Sequence, residues 1–260
     1  MITSVHHDKV KYVRSLADRK QRLIEGRIAI EGARLIDDAL AANFTPDWVF
    51  CAPRLLPRAQ DTLRRLQARH IELIEVSEAV LKACSKTETP QGLIGVIKQP
   101  QLPWPRQPEL IVIADRLRDP GNLGTLLRSS AAAGVSGVVL APETVDAFNP
   151  KVVRGAMGAH FRLPILAADW AAIAARVRGM AVYVAESEDA RPYTSIDWTR
   201  PAVLIVGGEA EGTSEAAAQL ATARITIPLA REVESLNAGV AASIIVFEAK
   251  RQREQKTDRS

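Results

Sequence analysis

Cysteine is nearly absent: Cys51 and Cys84 are the only two in 260 residues, and neither belongs to a CxxC or to a Cys/His cluster. That excludes a disulfide framework and a structural zinc site, leaves no metal expected, and points to a reducing compartment, read here as the cytoplasm. Long hydrophobic runs are missing too. The longest apolar pieces are short ones such as ASIIVF, below the ~18 residues of a membrane span, and no signal-peptide core is present. Neither a GxGxxG fingerprint nor a Walker A lysine follows any apolar strand, which argues against a Rossmann-type oxidoreductase. No period of about 20 to 50 residues repeats, so a solenoid is excluded.

What remains is a globular composition, 47% apolar and 25% charged, in a chain long enough for one large or two modest domains. The net charge of +4 is modest but unevenly spread. Lys9, Lys11, Arg14, Arg19 and Arg34 crowd the front, and Lys250, Arg251, Arg253, Lys256 and Arg259 crowd the tail. Two basic ends suit a phosphate backbone, and they equally suit a solvated helix face.

The first hundred residues alternate helices and short strands. Helices are expected over 9–23, 32–42 and 57–69 and, capped by Ser77, up to Cys84; strands over 27–30, 48–51, 71–76 and 92–97. QPQLPWPRQP, residues 99 to 108, carries Pro100, Pro103, Pro105 and Pro108 and reads as a semi-rigid linker. Beyond it apolar strands alternate strictly with helices, which means a parallel sheet covered on both faces. The expected division is therefore 1–98, a linker 99–108, and 109–260.

Three loops at strand ends in the second half carry unusual chemistry. In DPGNLGTLLR, Asn122 opens a helix of small residues on which Arg128 is the lone charge; it must reach a ligand phosphate, a carbonyl, or a carboxylate such as Asp115 or Asp119. In IVGGEAEG, Gly207, Gly208 and Gly212 allow close backbone approach and Glu209 sits at the strand tip, although Gly-Gly after a strand is common. In IPLAREVESLN, Ser235, Leu236 and Asn237 stand where the final helix starts. There they form either an ordinary serine cap or a polar cluster beside unpaired N–H groups.

In this order the three loops resemble the signature motifs of the SpoU (TrmH) family of S-adenosylmethionine-dependent RNA ribose 2′-O-methyltransferases, of the SPOUT class. The likeness runs from about Glu109 onward and extends to AIEGARLIDDAL and TETPQGLIGVI in the front half, which resemble the accessory RNA-binding domain of many members. One departure is visible: Gly208 stands where the family has Asn or Ala.

The resemblance implies an α/β fold: a C-terminal parallel-sheet SPOUT domain with a deep trefoil knot, plus a small N-terminal α/β domain that binds RNA. It implies a homodimer whose active site combines the cofactor pocket of one subunit with an arginine of the other. Residue by residue, it assigns S-adenosylmethionine contacts to Gly207, Ile227 and Leu236, and catalytic roles to Asn122, Arg128, Glu209, Ser235 and Asn237. Phosphate contacts are expected from Lys9, Lys11, Arg14, Arg19 and Arg34. Within the final helix, Leu236, Val240, Ile244 and Phe247 are the expected apolar stripe. Ribosomal RNA is the expected substrate; a transfer-RNA substrate, or a catalytically silent assembly factor on the same fold, are the alternatives.

Overall fold

The computed structural model describes every residue except Lys86, Glu88, 187–189, 209–211, Arg231, Glu232 and 258–260. Glu209 therefore lies outside the described residues. The chain divides into two compact units, Met1–Pro100 with Phe148–Phe161, and Gln101–Ala147 with Arg162–Ser260.

In the first unit the order is α1 (Asp8–Ser15), α2 (Arg19–Glu25), β1 (Arg27–Glu31), α3 (Ala33–Ala41), β2 (Trp48–Cys51), α4 (Pro57–Ala68), β3 (Glu72–Glu75), α5 (Glu78–Cys84) and β4 (Leu93–Lys98). The single helix expected over 9–23 is two. Asp18 caps α2 by accepting from the Gln21 N–H, and the buried Arg22 donates to the carbonyls of Leu16 and Ala17, closing the end of α1. The sheet runs β1-β4-β2-β3, antiparallel at β1/β4 and β4/β2 and parallel at β2/β3.

Period-two alternation along β4 builds two cores. Leu93 and Ile97 face α3 and α4, packing with Ile36, Leu40 and Leu66. Ile94 and Val96 face α1 and α5, packing with Val10, Val13, Val80 and Leu81. Cys84 sits beside this second core, and burial pushes its thiol up to about 11. That disfavours the thiolate, the nucleophilic form.

The second unit contains β5 (Leu110–Asp115), α6 (Pro120–Ala133), β6 (Gly137–Leu140), β7 (Ile165–Ala167), α8 (Trp170–Arg176), β8 (Ala181–Ala185), β9 (Arg191–Pro192), β10 (Ala202–Gly207), α9 (Glu215–Leu220), β11 (Ala223–Thr226) and α10 (Ala238–Thr257). Helix α7 (Pro150–Ala156), which sequence alternation assigned to the second domain, instead belongs to the first unit, where Val153 and Phe161 join the core of α3 and α4. The proline-rich stretch is less a free linker than a docked one. Trp104 covers Gly137, where a Cβ would come within 2.7 Å of its ring, and it packs with the sheet core around Ile111 and Val139.

All pairings in the seven-stranded sheet, ordered β7-β6-β5-β10-β8-β11-β9, are parallel. The consequence for function is one of adjacency. Because β10 inserts between β5 and β8, the loops after β5, β10 and β8 open side by side at the carboxyl edge, where parallel sheets bind ligands. Helix α10 lies against α6 closely enough that a Cβ on Gly239 would meet the Asn122 carbonyl at 2.9 Å and Thr125 at 3.0 Å. Ser243 donates to Ser129 Oγ across the same contact at 2.7 Å. The expected apolar stripe on α10 is corrected: the buried face is Ala238, Gly239, Ala242, Ile245, Val246 and Ala249. Val240 and Phe247 point to solvent instead, 43% and 46% exposed.

Candidate active site

A cavity of about 780 Å³ opens at the carboxyl ends of β8, β10 and β11. Its walls include Gly207 and Gly208 at the end of β10, Thr226, Ile227 and Pro228 at the end of β11, and Ser235 and Leu236 before α10. Gly207, Ile227 and Leu236 thus line one cavity with Ser235. Its volume lies within the range of small-molecule sites, and its wall mixes apolar side chains such as Ile227, Leu236 and Ile245 with the polar Glu186, Thr213, Arg224, Glu234 and Ser235.

The turn after β10 is unusually tight. Gly208 and Gly212 form a bridge, and the Gly212 N–H donates to the Gly208 carbonyl at 3.1 Å. A Cβ on Gly207 would lie 2.6 Å from the Gly212 carbonyl, and one on Gly208 would lie 2.7 Å from the Arg116 carbonyl. Arg116 has φ +54°, which turns that carbonyl toward Gly208. The departure at Gly208 therefore has a steric reason in this chain: the side chain of an Asn or Ala would strike backbone.

The end of β5 holds the same turn. Asp115, fully buried, accepts from the Ser214 N–H at 2.6 Å, and Arg116 Nη2 donates to the Gly212 carbonyl at 3.4 Å. From sequence Asp115 is a candidate partner for Arg128 and Arg116 has no role; holding this turn is expected of neither. Their role depends on β10 lying next to β5, and strand order is not written in local pattern.

Asn122 and Asn237 are brought together: Asn237 Nδ2 donates to Asn122 Oδ1 at 2.6 Å. Asn122 is buried and its N–H is accepted by Asp119 Oδ1, the cap of α6. Asn237, not Ser235, caps α10, since its Oδ1 accepts from the Val240 N–H at 3.1 Å and its carbonyl from the Ala241 N–H. Ser235 is thereby left on the cavity wall.

Arg128 stands elsewhere. It is exposed, and among the described residues it has no ion-pair partner; Asp115 and Asp119 are engaged with Ser214 and Asn122. Six residues along a helix is roughly 9 Å and 240° from Asn122, so Arg128 does not share a point of contact with it.

Of the basic residues in the first unit, Lys9 pairs with Glu72 at 2.7 Å and lies over the Trp48 ring, and Lys11 lies 3.5 Å from Asp8. Arg14, Arg19 and Arg34 are exposed, with no ion pair among the described residues. Helix α4 adds exposed Arg58, Arg64 and Arg65, the last two paired with Asp61 and Asp37. No group of three or more metal-ligating side chains occurs among the described residues.

The SpoU rRNA Methylase family profile matches residues 109–247, and an MRM3-like substrate binding domain profile matches 7–95. The zebrafish rRNA methyltransferase 3A, mitochondrial, is 36% identical over 88% of this chain; the chain spans 64% of that relative's length. The Bacillus subtilis 23S rRNA (guanosine(2553)-2'-O)-methyltransferase RlmP is 32% identical over 95% of this chain and 97% of its own. The crystal structure of an AdoMet-bound rRNA methyltransferase from Sinorhizobium meliloti superposes with a TM-score of 0.84 at 33% identity, covering 96% of this chain and 97% of that one. With the motif loops gathered on one sheet edge and matches across both units, this chain belongs to the SpoU rRNA methylase family.

Proposed function

We propose that this protein transfers a methyl group from S-adenosylmethionine to a ribose 2′-hydroxyl of ribosomal RNA. The observation that carries the reading is the cavity at the glycine turn, bordered by the α10 segment whose Asn237 is bonded to Asn122. The relatives above are named as ribosomal RNA methyltransferases, which favours that substrate over transfer RNA. A cofactor seated against Gly207, Ile227 and Leu236 supplies an electrophilic methyl group. The chain's task is then to bring one hydroxyl into line with it and to stabilise the charge that develops on the oxygen.

Asn122, Asn237 and Ser235 orient the ribose. Arg128 clamps an RNA phosphate and stabilises the forming alkoxide; a guanidinium with a pKa above about 12 is not a base at neutral pH. Glu209 belongs to the same polar set by resemblance. The exposed Arg14, Arg19 and Arg34 and the basic face of α4 contact phosphates, which position RNA without choosing sequence. Reversing Arg14, Arg19 and Arg34 to glutamate should weaken RNA binding and flatten its salt slope in filter binding, with cofactor affinity unchanged. An unaltered slope rejects this role.

The exposed position of Arg128 and the apolar patch of Val240, Ile244 and Phe247 support a homodimer in which Arg128 serves the partner's pocket, the trefoil-knotted α10 segment forming the contact. Free Cys51 and Cys84 fit a reducing compartment, for which we take the cytoplasm. Methylation of ribosomal RNA transcripts with labelled S-adenosylmethionine tests the activity. In that assay Arg128→Lys should keep RNA affinity and lose most of kcat, because the bidentate fork is gone. Mixing that variant with Asn237→Ala should restore up to about a quarter of wild-type turnover, since random pairing gives one intact site in half of the dimers. Failure of two inactive variants to complement rejects the shared site. No methylation of any RNA by the wild type returns the protein to the class of silent assembly factors.

A further inference from the structure

The charge on the cavity wall at the end of β8 is Glu186, which neither the motifs nor the resemblance singles out. It stands one residue beyond β8, the strand next to β10, so its carboxylate meets the far side of the glycine turn. The Glu186 N–H donates to the Ile225 carbonyl at 2.9 Å. Its Oε1 accepts from Thr213 Oγ1 at 2.8 Å, and its Oε2 faces Arg224 Nε at 3.2 Å. Thr213 and Arg224 line the same cavity. The Glu186 side chain is 25% exposed, and each oxygen keeps a lone pair for a further donor.

An acid on the strand beside a glycine turn is how parallel sheets recognise a nucleoside: backbone approaches through the glycines while the carboxylate accepts from ribose hydroxyls. The charge balance sharpens the choice of ligand group. Arg224 offsets the charge of Glu186, so this pair offers acceptors with no net charge, which suits neutral hydroxyls, whereas the other acid on the wall, Glu234, stands outside the pair. Building on the cavity's assignment to S-adenosylmethionine, we propose that Glu186 accepts hydrogen bonds from the ribose hydroxyls of the cofactor. Thr213 and Arg224 hold it in place for that contact, and because Thr213 belongs to the glycine turn, the nucleoside is gripped from two neighbouring strands at once.

Calorimetric titration of the wild type, Glu186→Ala and Thr213→Val with three ligands tests this: S-adenosylmethionine, 5′-methylthioadenosine, and the 2′-deoxy form of the latter. Glu186→Ala should weaken the first two by the same factor, roughly 10- to 100-fold for a charge-assisted hydrogen bond. It should also lose the wild-type preference for the ribose over the deoxyribose ligand. Thr213→Val should bind less tightly yet keep that preference. Weakening confined to S-adenosylmethionine would assign the contact to the amino-acid end and overturn the inference. So would a preserved ribose preference in Glu186→Ala, or its loss in Thr213→Val to the same extent. A wild type that binds none of the three removes the cavity assignment and this inference together, whereas wild-type binding with unchanged Glu186→Ala affinities removes the inference alone.

Discussion

Asn237→Ala should abolish methyl transfer, a fall in kcat of at least about 100-fold, while the protein remains folded. The side chain has two jobs that the geometry separates. Its Nδ2 bonds Asn122 Oδ1 at 2.6 Å, and its Oδ1 caps α10 through the Val240 N–H. Losing a cap costs about 1 kcal/mol, a shift of roughly 2–4 °C in Tm at this chain length, which leaves the fold standing. Losing the bond to Asn122 unfastens the polar pair at the transfer site, where misplacement of reacting groups by an ångström costs about 100-fold. Asn237→Asp distinguishes the jobs. Aspartate caps a helix as well as asparagine, but its carboxylate would face the Asn122 oxygen with no proton to donate. Thermal melts should therefore show a folded protein whose loss of stability is that of one buried hydrogen bond, about 1–3 kcal/mol, and the methylation assay should show none of the activity. Full kcat in Asn237→Asp would mean that the bond to Asn122 has no part in the chemistry.

Gly207→Ala should remove S-adenosylmethionine binding, by about 100-fold or more in calorimetry. The added Cβ would lie 2.6 Å from the carbonyl carbon and oxygen of Gly212 and 2.8 Å from the Thr213 nitrogen. These are backbone atoms, so no rotamer change relieves the contact; the turn itself must open, and with it the wall of the cavity. Gly212 supplies the contrast. It has φ +61° but open space around its Cβ position, so Gly212→Ala meets only the left-handed backbone penalty of roughly 1 kcal/mol and should bind the cofactor with a modest loss. Equal behaviour of the two variants would show that close packing at Gly207 does not shape the site.

Local pattern carried most of the elements. Strand β2 and the Ser77 cap of α5 lie where apolar alternation and capping chemistry put them, because short strands bounded by turn residues and helices opened by serine are local events. What escaped was decided by tertiary contact. Asp18 splits the first helix with the help of Arg22, six residues from the Leu16 carbonyl it holds. Periodicity alone placed Val240 and Phe247 on the buried face of α10, whereas the contact with α6, tight at Gly239, turns a different face inward. Helix α7 was assigned to the wrong unit because alternation records sequence order and not which core a helix joins.

The site divides in the same way. The three motif loops could be read because each carries residues with special backbone or side-chain chemistry. The roles of Asp115, Arg116 and Glu186 could not, because a charged residue at the end of an apolar strand is ordinary until strand order reveals its neighbour. The Asn122–Asn237 pair, joined over a separation of 115 residues, depends on α10 returning to the start of α6. No window of sequence contains that return.

The far end of α10 ties the beginnings of the two central strands to the helix that borders the site. Arg253, half-buried, donates to the carbonyls of Trp198, Glu109 and Arg200 and pairs with the Glu109 carboxylate at 3.1 Å. Those residues immediately precede β5 and β10, the two strands at the middle of the sheet. During synthesis the first unit can complete its sheet once β4 has emerged. In the second unit the same helix that fastens the beginnings of the central strands carries Asn237 toward Asn122 and supplies Ala238, Ala241 and Ile245 to the cavity wall, so the wall is complete only when α10, the last of these elements to be made, is in place.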